Sequence, residues 1–349
     1  MSLRGTLEQL VASGQTPGAI VQVSVDGRRH EPVAVGFLAS IDGNGVALTE
    51  REPVTADTRY DLASVTKLYT ALTALRLVDA GMLSLDMPVA SALPHFSGAA
   101  TLRHLLTHTS GLPPTWDGWR GGPGRADAIA AITSLPPLTA LGTAYEYSCL
   151  GYITTMALAE TATGRQWDDL VQELVLDPLR LGATAFNPQG ENIAPTEYQP
   201  ELGRGLVRGI VHDETAASLG GVSGNAGLFA TVGDLLTFGE ATGSGFEGLL
   251  ERGTAAAFAG DQLADILPPS GVKPAWGQGL GPRIGQASWM TAQLPSAIGH
   301  NGFTGPSVLA DPSRGLVVAF LTNRVHPTRT ASDGNAIRLA VHEAVVASL

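Results

Sequence analysis

Apolar residues near both ends of the chain follow strand-like patterns bounded by helical ones. The strand-like segments are residues 19–25, 33–37 and 307–321. The helical segments at the two ends are residues 3–13 and 336–349. The first strand stops at Asp26-Gly27, a dipeptide typical of tight hairpin turns, and residues 307–321 are long enough for a second hairpin. The pattern predicts that each end contributes a helix and an antiparallel pair of strands.

The middle of the chain has mainly helical periodicity. Its helical segments are residues 64–83, 127–134, 152–163, 167–175 and 232–241. Strands at both ends with helices between them predict an α+β fold, in which one antiparallel sheet is built from both termini and flanked by the terminal helices. Residues 1–75 and 255–349 would form this sheet domain, with residues 76–254 inserted as a mainly helical domain. The seam between two such units is a common place for a ligand pocket.

Composition and charge narrow the classes of function. The 349 residues suffice for two structural units, and 44% hydrophobic with 15% charged residues favours a large core over disorder. A net charge of −11 disfavours nucleic acid and anionic membrane surfaces as partners. The single cysteine, Cys149, excludes an intramolecular disulfide and a cysteine-based zinc site.

The N-terminus and the hydropathy indicate where the protein acts. Polar and acidic residues interrupt the first ten positions, and no apolar segment with a small-residue cleavage site follows. No run approaches the ~20 apolar residues that a membrane-spanning helix needs. We therefore expect a cytoplasmic protein with a small-molecule substrate and neither a nucleic-acid nor a membrane partner. The oligomeric state stays open.

The sharpest local motif is Ser64-Val65-Thr66-Lys67, at the start of the 64–83 helix. A spacing of three residues places the serine and the lysine on one helical face, one turn apart. A serine hydroxyl becomes a good nucleophile when a base takes its proton, and Lys67 can do so if its pKa is lowered enough to leave it neutral. Free N–H groups at the helix start can also stabilise an oxyanion. The alternative interpretation is a helix-capping serine with a solvated lysine.

Two further motifs carry groups that could act on a bound acyl group. Tyr147 lies on a predicted loop between helices, where its phenol could exchange a proton with a lysine. The other motif precedes the C-terminal hairpin and comprises His300, Asn301, Gly302 and Phe303. Its small residues would let a strand edge pass close to a ligand. The alternatives are a buried aromatic anchor for the first motif and an ordinary glycine-rich turn for the second.

In this order, the three motifs resemble the boxes of the serine β-lactamase and penicillin-recognising family. The similarity is closest to the class C β-lactamases and their esterase relatives, whose second box is Tyr-x-Asn. Other stretches that resemble this branch are residues 102–112, 211–214, 224–229 and 321–327. The resemblance runs from about residue 5 to the C-terminus, and it implies the β-lactamase/transpeptidase-like fold.

The resemblance also implies roles for the residues of the three motifs. Ser64 would be the acylated nucleophile, Lys67 its partner base and Tyr147 a participant in proton transfer. Which of Lys67 and Tyr147 is the kinetic base stays open. The backbone N–H groups of Ser64 and Phe303 would form the oxyanion hole, and residues 300–303 would contact the substrate. We expect neither a metal nor a cofactor.

Two departures from the family pattern affect the expected substrate. Cys149 stands where the family has Asn, which removes an amide that could hold a side-chain amide of the substrate. His300 stands where β-lactamases have a lysine that can anchor a carboxylate, and a histidine is largely neutral at pH 7. These changes favour a carboxylesterase that acts through an acyl-enzyme. The alternatives are a β-lactamase, a D-amino-acid peptidase, an acyltransferase and a non-catalytic ligand-binding protein.

Two competing signals favour structural interpretations. His104 and His108 have the four-residue spacing of some metal sites, but no glutamate lies between them and no third ligand is evident nearby. A structural turn at a helix end is therefore the favoured interpretation. Cys149 has no evident base in the sequence and is predicted to be a small buried hydrophobic residue.

Overall fold

Helices and strands are distributed along the chain as the hydrophobic pattern predicts; the computed structural model describes residues 2–349. The helices are α1 (Leu3–Ala12), α2 (Thr66–Asp79), α3 (Leu102–Leu106), α4 (Arg125–Thr133), α5 (Cys149–Thr163), α6 (Trp167–Val171), α7 (Asp177–Leu179), α8 (Glu214–Ser218), α9 (Val232–Gly243), α10 (Arg252–Ala259), α11 (Leu263–Ile266), α12 (Ala287–Met290) and α13 (Gly334–Val346). The strands are β1 (Gly18–Val25), β2 (Arg28–Arg29), β3 (Val33–Gly36), β4 (Tyr60–Asp61), β5 (Ala185–Phe186), β6 (Tyr198–Gln199), β7 (Gly205–Leu206), β8 (Leu228–Ala230), β9 (Gly277–Gln278), β10 (Arg283–Ile284), β11 (Ile298–Asn301), β12 (Ser307–Asp311) and β13 (Leu316–Thr322).

The main sheet joins the two ends of the chain. Its strand order is β2-β1-β13-β12-β11-β10-β9, with β3 also paired to β1, and every pairing in it is antiparallel. The central pairing aligns Ala19 of β1 with Thr322 of β13 and continues to Val25 opposite Leu316. The predictions of an α+β fold and of one antiparallel sheet built from both termini are confirmed.

The N-terminal hairpin differs from its prediction in one respect. Asp26 and Gly27 both have positive φ angles, 49° and 75°, as a tight hairpin turn requires. The returning chain, however, pairs with β1 as two short strands, β2 and β3, rather than as one strand over residues 33–37. Pro32 lies in the gap, and a proline has no N–H to donate to a strand ladder.

Helices cover both faces of the main sheet. One face packs against α1 and α13, through residues such as Leu7, Val21, Phe320, Ile337 and Val341. The opposite face packs against α9, and Gly239 lets that helix approach closely, since a Cβ there would lie 2.6 Å from a methyl of Val317. Because both faces are covered, β13 is a continuous apolar run without alternation.

The inserted segment builds a second body of packed helices around α2. Residues of α2, α5, α6 and α9 share one hydrophobic core, in which the rings of Tyr69 and Phe238 stack with centroids 3.9 Å apart. The predicted domain boundaries stay a prediction, although α9 packs on the sheet while lying within residues 76–254. No helix of residues 2–349 has both the length and the hydrophobicity that crossing a bilayer requires.

Candidate active site

The nucleophile motif begins with a strained turn. Ser64 lies in a 3₁₀ turn, Ala63–Val65, so the α-helix starts slightly later than predicted, at Thr66. Ala63 has a φ of +45°, a left-handed conformation that is costly for a residue with a Cβ. The buried carboxylate of Asp61 holds this turn by accepting the Ala63 N–H at 2.8 Å. Asp61 itself is fixed because β4 pairs with β8.

Lys67 lies fully buried on the first turn of α2. Its Nζ is 2.9 Å from Ser64 Oγ, 2.9 Å from the backbone oxygen of Asn225 and 3.4 Å from Cys149 Sγ. The side chain has no exposed surface. The alternative interpretation, a solvated lysine beside a capping serine, is therefore wrong. Cys149 was predicted to be a small buried hydrophobic residue, but it is half-buried and its Sγ contacts Lys67 Nζ.

The pKa of Lys67 is shifted in the direction opposite to the one that a neutral base requires. Burial opposes the charged form, but the negative charge that Cys149 and Tyr147 can carry outweighs it, and the pKa of Lys67 is raised above its ordinary value. An ammonium cannot accept the Ser64 proton. A charged Lys67 must therefore pass its own proton to a neighbouring group before it can accept the proton of Ser64.

Tyr147 lies on the loop before α5, as predicted, and faces Lys67. Its ring centre is 5.2 Å from Lys67 Nζ and 4.9 Å from the guanidinium carbon of Arg283. His108 clamps the loop on both sides of Tyr147: its Nδ1 accepts the Ser148 N–H at 3.1 Å, and its backbone oxygen accepts the Glu146 N–H at 2.8 Å. Tyr147 is thereby held where it can exchange a proton with Lys67.

The two spaced histidines have separate contacts. His104 Nδ1 lies 2.8 Å from the hydroxyl of Thr101, in the capping box at the start of α3. His108 has a left-handed backbone, φ +59°, and packs its ring against Tyr147 with centroids 4.5 Å apart. Burial, with Lys67 and Arg283 nearby, holds the pKa of His108 well below its ordinary value. The sequence missed this role of His108 in holding Tyr147.

His300 is buried at the end of β11. Its Nδ1 lies 2.7 Å from the backbone oxygen of Asn301. Burial, and then the positive charges of Arg283 and Lys67, lower the pKa of His300 well below its ordinary value, so the ring is neutral at pH 7. Asn301 directs its side chain elsewhere, because its Oδ1 accepts a hydrogen bond from Arg283 at 3.2 Å.

The turn after β11 packs directly on the nucleophile turn. A Cβ on Gly302 would lie 2.5 Å from the backbone oxygen of Leu62, so the glycine is needed for this contact. The expected close approach of a ligand at this turn stays a prediction. Thr304 Oγ1 donates to the Asp61 backbone oxygen at 2.9 Å. Within residues 2–349, the backbone N–H groups of Ser64 and Phe303 donate no hydrogen bond. Both remain free for an oxyanion.

Ser64, Tyr147 and Phe303 line one cavity of about 260 Å³, which we call the catalytic pocket. It is lined by Ala63, Ser64, Thr115, Tyr147, Cys149, His212, Asp213, Glu214, Ala226, Phe303 and Arg329. The Phe303 ring is half exposed and lies between the guanidinium groups of Arg324 and Arg329, at 4.9 and 5.7 Å. Of the predicted substrate-contacting residues, Phe303 lines this pocket, whereas His300 and Asn301 do not.

A second cavity of about 290 Å³, the arginine cavity, lies beside the third motif. Arg283, Arg324 and Arg338 line it together with one carboxylate, that of Asp333, and with Asn301, Gly302, Phe303, Gly334 and Asn335. In the part of the chain that the structure describes, none of the three arginines is within 4.0 Å of a carboxylate oxygen. Burial and the other two arginines lower the pKa of Arg338 to about 9. Arg324 lies in the stretch 321–327 that resembles the family, but the sequence analysis assigned no role to any of the three arginines.

Known proteins share this sequence and fold over nearly the whole chain. A family model described as Beta-lactamase matches residues 3–342. An N-acetylmuramyl-L-alanine amidase of Bacillus subtilis (strain 168) is 31% identical, over 92% of this chain and 80% of that protein. A putative D-alanyl-D-alanine carboxypeptidase of Escherichia coli (strain K12) is 30% identical, over 84% and 75%. The structure of EstCE1, a hydrolase with promiscuous acyltransferase activity, superposes with a TM-score of 0.77 at 23% identity, covering 98% of this chain and 97% of that one.

The family match and the two relatives at 30% identity or more extend well beyond the three short motifs. The EstCE1 similarity bears on the fold alone, and it agrees with the antiparallel sheet and helical insertion described above. The chain therefore belongs to the β-lactamase family and is a serine hydrolase of the β-lactamase and penicillin-binding-protein fold.

Proposed function

We propose that the protein hydrolyses amide or peptide bonds of small substrates that carry a carboxylate on the leaving amine. The observation that carries this proposal is the arginine cavity. Three guanidinium groups share the cavity with the single carboxylate of Asp333, which makes no ion pair within 4.0 Å in residues 2–349, so the cavity keeps a positive excess that favours an anion. Arginine binds a planar carboxylate through two parallel hydrogen bonds.

The catalytic step uses the residues around Ser64. The Ser64 oxygen attacks the carbonyl carbon, and its proton passes into the Lys67–Tyr147 cluster. The N–H groups of Ser64 and Phe303 donate to the oxyanion. The C–N bond then breaks, the leaving amine takes the proton from the cluster, and water hydrolyses the resulting ester by the reverse proton path.

The arginines offer the positive charge that His300 lacks. The sequence alone favours esters because a neutral histidine replaces the carboxylate-binding lysine, and His300 is indeed buried and neutral. Arg283, half-buried between Tyr147 and the arginine cavity, carries a permanent charge at the same end of the site. A carboxylate bound there would place the scissile bond toward Ser64.

The names of the relatives support the same class of bond. An amidase and a putative carboxypeptidase both cleave C–N bonds, and each aligns with four fifths or more of this chain. What those proteins act on is taken here as support for the reaction type.

A carboxylesterase remains the second candidate. Cys149 and His300 favour it, because they replace an amide and a cation that would hold a peptide-like substrate. Esters are also intrinsically easier to cleave, so some ester hydrolysis is expected under either function.

The test compares an N-acylated dipeptide with a free C-terminal carboxylate and the same peptide ending in a carboxamide. We expect the carboxylate form to have the higher kcat/KM, by about 10-fold or more, and Arg283→Gln to remove most of that preference through KM. Arg252→Gln, an exposed arginine on α10, is the matched control. Equal kcat/KM for the two peptides, with efficient hydrolysis of p-nitrophenyl acetate, would favour the carboxylesterase.

A further inference from the structure

One wall of the catalytic pocket contains a histidine whose two ring nitrogens face different surroundings. His212 lines the pocket, and its ring stacks on that of Phe303, with centroids 5.6 Å apart and an angle of 29° between the planes. Its Nε2 lies 3.0 Å from a carboxylate oxygen of Glu197, which is buried behind the wall. The Nε2 edge of the ring is therefore directed into the protein.

The other ring nitrogen of His212, Nδ1, is directed at the pocket. No group of residues 2–349 forms a hydrogen bond with it. The Nε2 atoms of His108 and His300 also lack a partner in that part of the chain, but they are sealed inside the protein, whereas His212 Nδ1 is not. Because the cavity that His212 lines is the catalytic pocket, its Nδ1 is accessible from there.

Glu197 determines which nitrogen of His212 carries the proton of the neutral ring. Burial raises the pKa of Glu197, but hydrogen bonds from His212, Arg329 and Gln199 among others outweigh it and lower that pKa to about 2. An ionised carboxylate only accepts hydrogen bonds, so Nε2 is the donor and Nδ1 keeps its lone pair. The same arrangement, with a carboxylate that orients an imidazole, occurs in hydrolases in which the imidazole contacts the reacting atoms.

The backbone of His212 is tied to the turn that carries the nucleophile. Its N–H donates to Asp61 Oδ2 at 2.7 Å, and the other oxygen of Asp61 accepts the Ala63 N–H at 2.8 Å. On its other side, the His212 ring stacks on Phe303, whose backbone N–H is one of the two free oxyanion donors. His212 is thereby fixed relative to both parts of the oxyanion hole.

We propose that His212 Nδ1 accepts a hydrogen bond from the water that hydrolyses the acyl-enzyme and so holds this water for attack. The proposal rests on the acyl-enzyme of the proposed function and adds a residue to its second half. The water oxygen bonds to the acyl carbon, and one of its protons passes to the Lys67–Tyr147 cluster. The other proton stays on that oxygen, directed at His212. The bond from the acyl carbon to Ser64 Oγ then breaks, Oγ takes the proton from the cluster, and the free acid leaves.

This role separates the two halves of the reaction. Holding a reactant in the geometry of attack accelerates the step in which that reactant takes part. Water takes no part when Ser64 attacks the substrate, so a change at His212 Nδ1 should leave acylation nearly unaltered and slow deacylation.

The experiment measures the formation and the decay of the acetyl group on Ser64 by rapid-quench mass spectrometry of the intact protein. The substrate is p-nitrophenyl acetate, near pH 8, where an imidazole is ordinarily neutral. We expect His212→Gln to acylate at a rate within about threefold of the wild type and to lose the acetyl group about 10²-fold more slowly. Its amide can still donate to Glu197, but it offers no acceptor at the position of Nδ1.

Two further variants show whether the acceptor itself matters. His212→Asn can place an amide oxygen near the position of Nδ1, and we expect it to lose the acetyl group about 10-fold faster than His212→Gln. His95→Gln changes an exposed histidine outside the pocket and should behave as the wild type.

Each contrary outcome overturns a distinct statement. Acetyl decay in His212→Gln within twofold of the wild type overturns the role of His212 and leaves the proposed function standing. Equal slowing of acylation and decay, or equal decay in His212→Gln and His212→Asn, also overturns that role, since it indicates a general disturbance of the pocket. Full hydrolysis by Ser64→Ala would instead overturn the proposed function, and the role of His212 with it.

Discussion

The buried positive charges beside Ser64 and in the arginine cavity have different kinds of partners. We call Lys67 and the groups that it contacts the floor of the catalytic pocket. Lys67, on the floor, is fully buried and has Ser64, Asn225 and Cys149 within hydrogen-bond distance. The three arginines of the cavity bond to backbone and amide oxygens, and none has a carboxylate partner in residues 2–349. Lys67 has hydrogen-bond partners without a substrate, and protons can pass among the side chains around it. The cavity keeps an excess of charge that an anionic ligand would neutralise.

The largest expected effect follows from removing the side chain of Lys67. Lys67→Ala should lower the rate of acylation by about 10³-fold, because no other group in residues 2–349 forms a hydrogen bond with Ser64 Oγ that could relay its proton. The measurement is the pre-steady-state release of p-nitrophenol from p-nitrophenyl acetate. Lys273→Ala is the matched control, since it removes the only other lysine, which is exposed. A Lys67→Ala burst within 10-fold of the wild type would contradict the assigned role.

A smaller effect is expected from a change in the turn after β11, which packs on the Ser64 turn. Gly302→Ala places a Cβ against the Leu62 backbone oxygen, so the turn must move and the Phe303 N–H moves with it. We expect kcat to fall by about 10²-fold, comparable to the loss of one oxyanion donor. Gly253→Ala, at a position in α10 where a Cβ meets nothing, is the control for the glycine substitution itself. Unchanged kcat in Gly302→Ala would show that the turn does not position the oxyanion hole.

Arg329 differs from the arginines of the arginine cavity, because it forms ion pairs with Glu197 and Glu214. Burial raises the pKa of Glu197, but hydrogen bonds from His212 and Arg329 among others outweigh it and lower the pKa to about 2. A carboxyl whose pKa is depressed in the folded state stabilises that state above the unfolded pKa, near 4.5, and loses this contribution as the pH falls toward 2. We expect about 3 kcal/mol of unfolding free energy to be lost over that range.

Urea denaturation of the wild type and Glu197→Gln between pH 7 and pH 2.5 measures this loss. The variant should lose less stability than the wild type across the same interval, because its side chain does not titrate. Parallel pH curves for the two proteins would show that the Glu197–Arg329 pair does not stabilise the fold through its charge.

The sheet and the floor could be predicted because their signals are local. The β-branched segment 19–25 and the apolar run of β13 predict strands. A spacing of three residues at the start of one helix predicts that Ser64 and Lys67 lie close together. The direction of the pKa shift of Lys67 could not be predicted, since it depends on Cys149 and Tyr147, which lie some 80 residues away in sequence. The contact of Gly302 with the Leu62 backbone could not be predicted either, because the two residues are far apart in sequence.

The arginine cavity could not be predicted because no single motif contains its three arginines, although Arg324 lies in the resembling stretch 321–327. Arg283, Arg324 and Arg338 come from β10, from the segment after β13 and from α13, and they meet only when the main sheet closes around both termini. His212 lies in the stretch 211–214, whose family resemblance was visible, but the nitrogen that it presents to the pocket becomes evident only once its hydrogen bonds are known.

The formation of an acyl-enzyme on Ser64 is the central claim, and labelling with a fluorophosphonate tests it most directly. Intact-protein and peptide mass spectrometry should show one adduct per chain, on Ser64, absent from Ser64→Ala and formed far more slowly by Lys67→Ala. An adduct on Cys149, or equal labelling of the wild type and Ser64→Ala, would contradict the account.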